Sequence, residues 1–231
     1  MVEFLKEVAQ AKDSDFTTEE RNLLSVGFKN LIGTSRTAIR TISAIEQNPK
    51  YQKYGDALAA YKTKVEGELY DQCMQVVNMV KDQCLKVASE QESKSFFLKM
   101  IADYYRYVAE SAKGDKLEEA KSGAQDYYNQ AAEVADKDLG ACNPVRLGLA
   151  LNCSVFHYEV LNDHKKAIEL GEKALQDALE KIDDCDEETF RDAKSIIELL
   201  KENLSLWKEE DDEGKAEEMW DLHPNQEQLV L

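Results

Sequence analysis

Between Lys99 and Glu110 the sequence reads KMIADYYRYVAE, and a helix through it would gather four polar groups on one narrow stripe. At about 100° per residue, Lys99, Asp103 and Arg106 fall within about 60° of one another, with Tyr107 at their edge. Arginine presents a planar fork suited to two phosphate oxygens, lysine adds a point charge, and a tyrosine hydroxyl supplies a neutral donor. An aspartate would be perverse in a simple phosphate sponge, but it fits as a group that orients a neighbouring lysine or arginine. An internal salt bridge of an ordinary helix is the competing reading, and this segment alone favours it. A second stripe lies earlier, where Lys29, Arg36 and Arg40 follow at intervals of seven and four and fall within roughly 40° on a helix. A solvated face usually mixes signs through i,i+4 pairs. Here the helical neighbours are Gly33 and the arginines themselves, so none of the three meets an acid.

Two further segments mix amide and apolar groups. In LGLALNCSVFHYEVL, Leu151, Asn152, Val155 and Glu159 cluster on one side, and in SIIELLKENLSLW, Ile196, Leu199, Asn203 and Trp207 do the same. Core packing with a satisfied asparagine accounts for the leucines and Trp207 by themselves. An asparagine amide offers donors and an acceptor together, which suits pairing with an extended peptide backbone. Catalytic patterns are missing. The three histidines are scattered, and there is no H-E-x-x-H, G-x-S-x-G, Gly-rich phosphate loop or ligand-spaced cysteine set, so neither an enzyme nor a bound cofactor or metal is indicated.

The elements that must hold these stripes are helical. With 231 residues, 43% hydrophobic and 32% charged, but only 10 Gly and 3 Pro, few breakers exist for the turns of an all-β chain. Amphipathic segments fall at about 2–11, 18–47, 53–86, 91–112, 116–136, 144–161, 164–182 and 187–209. Thr17 with Glu20 makes a capping box, and Asn143 with Pro144 makes a second start. About eight helices with short connections predict an all-α, antiparallel array over residues 1–209. Residues 210–231 open with an acidic run lacking an apolar face, which reads as a disordered tail. A net charge of −17 disfavours nucleic acid and anionic membranes, although a local basic patch could still hold one phosphate. No apolar run approaches the roughly 18 residues of a membrane helix and no signal-peptide pattern opens the chain. Five cysteines without C-x-x-C spacing read as reduced, packed thiols of a cytosolic protein.

The blocks RNLLSVGFKN, KMIADYYRY, NPVRLGLALNCSVFHYEVLN and ENLSLW, in this order, resemble the 14-3-3 family, and the likeness runs from the first helix to Trp207. The resemblance implies a helical cup whose amphipathic groove holds an extended segment of a partner phosphorylated on serine or threonine. It implies a non-catalytic adaptor in signal transduction, cytoplasmic with the nucleus also open. Arg36, Arg106 and Tyr107 match the family's direct phosphate ligands, and Lys29, Arg40 and Lys99 complete its basic groove. Asp103 matches the acidic residue beside the arginines. Asn152 and Asn203 match the amides that hold the bound backbone, Glu159 and Trp207 further polar contacts, and Leu151, Val155, Ile196 and Leu199 the apolar wall.

Departures from the family pattern touch preference rather than the phosphate ligands. Phe28 replaces a usual tyrosine, Ser35 stands where a second arginine is common, and KSIIELLKENLSLWK replaces TLIMQLLRDNLTLWT. The family also has a complete helix ahead of the segment resembling MVEFLKEV. In its dimers that helix packs on the partner's third and fourth helices, and Tyr61, Lys64 and Glu68 match the receiving surface. For the chain as given, this predicts a weakened dimer or a monomer. A tetratricopeptide-like scaffold for unmodified peptides is the alternative, with HKKAIELGEKAL in that style but no 34-residue repeat to support it. An acidic, tail-driven chaperone is a third reading.

Overall fold

The computed structural model describes the backbone of residues 2–222 and the side chains of residues 2–210. Eight helices of ten residues or more follow one another among them: α1 (Val2–Ala11), α2 (Thr18–Glu46), α3 (Gly55–Met79), α4 (Gln91–Ala109), α5 (Asp115–Asp138), α6 (Pro144–Glu159), α7 (His164–Leu179) and α8 (Glu187–Leu222). No strand occurs among the described residues, so the all-α expectation holds. The segment expected as one helix over 53–86 is divided. A 3₁₀ turn at Pro49–Tyr54 precedes α3, and a π-helical turn at Val80–Cys84 and a last helical turn at Leu85–Val87 follow it. The last helix continues past Glu209, where an acidic tail was expected to begin. Of that tail, residues 223–231 lie outside the described residues.

The chain divides into two compact units, Met1–Gly140 and Ala141–Leu231. In the first, α2 starts where the sequence signals it. The Thr17 hydroxyl accepts from the Glu20 amide at 3.2 Å, and the Glu20 carboxylate accepts from the Thr17 amide at 2.8 Å. Its inward stripe then runs through Leu24, Phe28, Ile32, Ile39 and Ile42, at helical spacing and all buried. Phe28 is fully buried, where a phenol would need a partner.

Helix α4 is the centre of this unit. Every residue from Met100 to Ala109 is buried, a helix covered on all sides. Asp103 and Arg106 lie in that run, and charges so placed persist only when paired. Its start is tied down by Asp15, whose carboxylate accepts from the backbone of Ser89 and Glu90 and from the Ser93 hydroxyl. Burial alone would raise the Asp15 pKa, but these hydrogen bonds hold it below the ordinary carboxylate value. Helix α5 lies close against α4 because its inward face is small: Ala120, Ala124, Ala131 and Ala135 are all buried. Gly123 lets the Tyr105 ring approach, since a Cβ there would stand 2.9 Å from it.

In the second unit, the Asn143 side chain caps α6 by accepting from the amides of Val145 and Arg146, with Pro144 in the first turn. Asp163 caps α7, and Asp186 accepts from the amides of Glu188 and Thr189 at the start of α8. The interior contains Leu147, Ala178, Ala193, Ile197 and Leu200, with Ala167, Leu204 and Trp207 beyond it.

Candidate phosphate and peptide site

In the first unit the two basic stripes meet. Arg36 from α2 reaches across to Glu110, just past the end of α4, with Nε 3.1 Å from Oε2 and Nη2 2.8 and 2.9 Å from the two oxygens. Arg106 donates from Nη1 to the same carboxylate at 3.2 Å, and the Arg40 guanidinium lies 3.5 Å from it. Three arginines therefore gather around one carboxylate. Between two of them stands the Tyr107 ring, with the Arg36 guanidinium carbon 4.1 Å and the Arg106 one 4.6 Å from its centroid.

Beneath this lies a buried network. Lys99 Nζ donates to Asp103 Oδ2 at 2.8 Å, the Tyr128 hydroxyl donates to Asp103 Oδ1 at 2.6 Å, and Arg106 Nε donates to the Tyr128 oxygen at 3.2 Å. Arg106 also stands 3.7 Å from Asp103. Burial by itself would raise the Asp103 pKa, but Lys99 and Arg106 outweigh it and keep the carboxyl below its usual value. The Tyr128 phenol is pushed well up, first by burial and then by the Asp103 charge, so it stays a donor. Burial works against the Arg106 charge too, yet Tyr128 and Asp103 hold the guanidinium firmly protonated. The segment's own salt bridge, Lys99 with Asp103, is thus real, and it is one edge of a larger assembly that fixes Arg106. Lys29 joins from α2, lining a cavity of about 40 Å³ with Lys99, Asp103 and Tyr107.

Two residues were missed in the sequence. Glu110 had a signal, four positions after Arg106 in the same helical stripe. Tyr128 had none, because it sits on another helix and only the packing of α5 on α4 brings its hydroxyl to Asp103. Tyr104 and Tyr105, between Asp103 and Arg106 in the chain, are buried; Tyr105 stacks on Tyr127 and accepts from Lys81 at 3.1 Å.

The second unit carries the other expected residues on α6 and α8, which pack on each other and on α7. Leu151, Asn152, Val155, Ile196 and Asn203 are half-buried, while Glu159 and Leu199 are exposed. Trp207, expected as a polar contact, is buried beside Ala167 and Leu204. Its ring stacks on Tyr158 at 4.6 Å, and Tyr158 stacks in turn on His164 at 4.2 Å. The ring system of Trp207 is therefore part of the core. Among the described residues, no group of His, Cys, Asp and Glu is arranged to hold a metal ion, and no helix is long and apolar enough to cross a membrane.

A family model described as "14-3-3 protein" matches residues 1–208. The chain is 41% identical over 210 residues to "14-3-3 protein 3" of Entamoeba histolytica, covering 90% of this chain and 87% of that protein. It is 39% identical over 222 residues to "14-3-3-like protein RA215" of Solanum tuberosum, covering 95% and 87%. It is 42% identical over 210 residues to "14-3-3 protein beta/alpha" of Homo sapiens, covering 88% and 84%.

Proposed function

This chain belongs to the 14-3-3 family and is a non-catalytic adaptor that binds phosphorylated proteins; on that premise we propose that Arg36, Arg106 and Tyr107 are its direct phosphate ligands. Lys29, Arg40 and Lys99 add positive charge around them, and Asp103 orients Lys99 and Arg106 rather than touching the phosphate. The observation that carries this reading is the gathering of Arg36, Arg40 and Arg106 on the Glu110 carboxylate. Donors already aimed at one pair of anionic oxygens need little rearrangement to accept another anion. Five cations against the two carboxylates leave a surplus that a phosphate near −2 reduces without reversing.

Each charge-assisted hydrogen bond contributes roughly 1.5–3 kcal/mol, so two arginines and a tyrosine separate phosphorylated from unmodified peptide by several kcal/mol. We assign the peptide backbone to the amides of Asn152 and Asn203, with Glu159 and Trp207 as neighbouring contacts. Leu151, Val155, Ile196 and Leu199 offer apolar surface for its side chains. A tetratricopeptide-like scaffold for unmodified peptides is not favoured by family membership. The test is fluorescence titration of one peptide, phosphorylated and unmodified, against the wild type and Arg36→Ala plus Arg106→Ala. Binding of the phosphorylated form alone, lost in the double variant, is expected; equal affinity for both forms refutes the assignment.

Family members form dimers. We assign the receiving surface to Tyr61, which is 56% exposed, and to the exposed Lys64–Glu68 ion pair one turn further along α3. Sedimentation of the wild type and Tyr61→Glu over a concentration series checks this, with a weak self-association of the wild type expected to weaken further in the variant. The cytoplasm is the compartment that fits this adaptor function, with the nucleus also open.

A further inference from the structure

Two of the five cysteines share one corner of the second unit. Cys142 is buried and belongs to the cluster containing Leu147 and Ala178, and the half-buried Cys185 packs against that same cluster. The Cys142 thiol donates to the Ala178 carbonyl at 3.4 Å, and the Cys185 thiol donates to the Lys181 carbonyl at 3.4 Å. Those carbonyls are one turn apart where α7 ends, since the Lys181 amide itself donates to Ala178 O at 3.1 Å. Burial comes first in raising the Cys142 pKa, and the neighbouring Cys185 and then the Asp184 charge add to it. By contrast Cys73 and Cys84 lie buried in the other unit, pushed up to about 12 chiefly by burial.

We propose that Cys142 and Cys185 are a redox modification site that closes to an intramolecular disulfide by exchange with a small disulfide such as oxidised glutathione. Cys185 is the more accessible and attacks first as its thiolate, forming a mixed disulfide and expelling one glutathione thiolate, which takes up the proton Cys185 lost. Cys142 then gives its proton to solvent, attacks Cys185 Sγ and expels the second glutathione thiolate, which that proton neutralises. Two protein thiols and one small disulfide become one protein disulfide and two small thiols, and a reducing thiol reverses the sequence.

The bond would link the residue before Asn143, the cap of α6, to the residue before Asp186, the cap of α8. It would clamp the starts of two helices that pack together in this unit, and it closes a long loop, the circumstance in which a cross-link restricts the unfolded chain most. The inference is independent of the phosphate assignment.

The full chain is incubated with oxidised glutathione, alkylated under denaturing conditions, and digested for mass spectrometry, with and without later treatment with dithiothreitol. Two cysteines protected from alkylation, a linked peptide pair containing Cys142 and Cys185, reversal by dithiothreitol, and a melting midpoint raised by roughly 5–10 °C are expected. Cys142→Ser should retain glutathione on Cys185 without the link, and Cys153→Ser should leave the link intact. A wild type with all five thiols alkylated, with glutathione resting on Cys185, or with a link to Cys153 instead overturns the proposal.

Discussion

Asp103→Asn tests whether the buried network holds the phosphate site together. The carboxylate accepts from Lys99 at 2.8 Å and from Tyr128 at 2.6 Å, with Arg106 at 3.7 Å, and its side chain is 9% exposed. An asparagine keeps the shape but has a single acceptor oxygen, so either Lys99 or Tyr128 meets an NH₂ group. Arg106, at 7% exposure, also loses its buried counter-charge. Removing one partner of a buried pair costs about 3–5 kcal/mol, which is a fall of about 1–2 M in the urea midpoint if unfolding has a slope of roughly 2.5 kcal/mol per M. The pH dependence has a definite sign. Because the folded-state pKa of Asp103 is depressed, its contribution is complete above the unfolded value near 3.9 and is lost as pH falls through the folded value. Urea titrations of both proteins between pH 7 and pH 3 should therefore start well apart, hold that gap down to about pH 4, and begin to narrow only below it. A difference below about 1 kcal/mol at pH 7, or one that has not begun to narrow by pH 3, would refute the reasoning. Phosphopeptide affinity of the folded variant should fall at least tenfold; undiminished binding would remove Asp103 from its orienting role.

Arg36→Lys keeps the charge but loses the fork and the contact with the Tyr107 ring, so phosphopeptide binding should weaken by roughly tenfold to a hundredfold in titration, with folding unchanged. Gly123→Ala places a methyl group 2.9 Å from the Tyr105 ring, which is held against Tyr127, and should cost about 1–3 kcal/mol by chemical denaturation. Thr17→Ala removes half of the capping box at α2 and should cost about 1 kcal/mol with no change in the phosphopeptide dissociation constant. Tyr128→Phe leaves Arg106 Nε and Asp103 Oδ1 without their shared hydroxyl and should weaken both stability and phosphopeptide affinity, the latter being the readout a purely structural role would not move.

Much of the fold was legible because helix signals are local. Capping at Thr17 and Asn143 and the periodic apolar stripe of α2 depend on residues within a turn or two, and they stand where the sequence puts them. The division of 53–86 was not legible. A π-helical turn at Val80–Cys84 needs no breaker residue, and only the way the helix packs selects it. Within the site, the matched blocks singled out the basic residues, yet Trp207 sits in the core as its apolar neighbours alone would suggest.

By itself the sequence determined the helical periods, the caps and the composition of two basic stripes, since each follows from the chemistry of neighbouring residues. Tertiary structure alone decided that α2 and α4 bring Arg36 and Arg106 to one carboxylate, that Tyr128 from α5 completes the support beneath Arg106, and that Cys142 and Cys185 share a corner. The physical reason is reach: side chains tens of residues apart in the chain interact only when packing closes the distance, and no local pattern encodes which of them will meet.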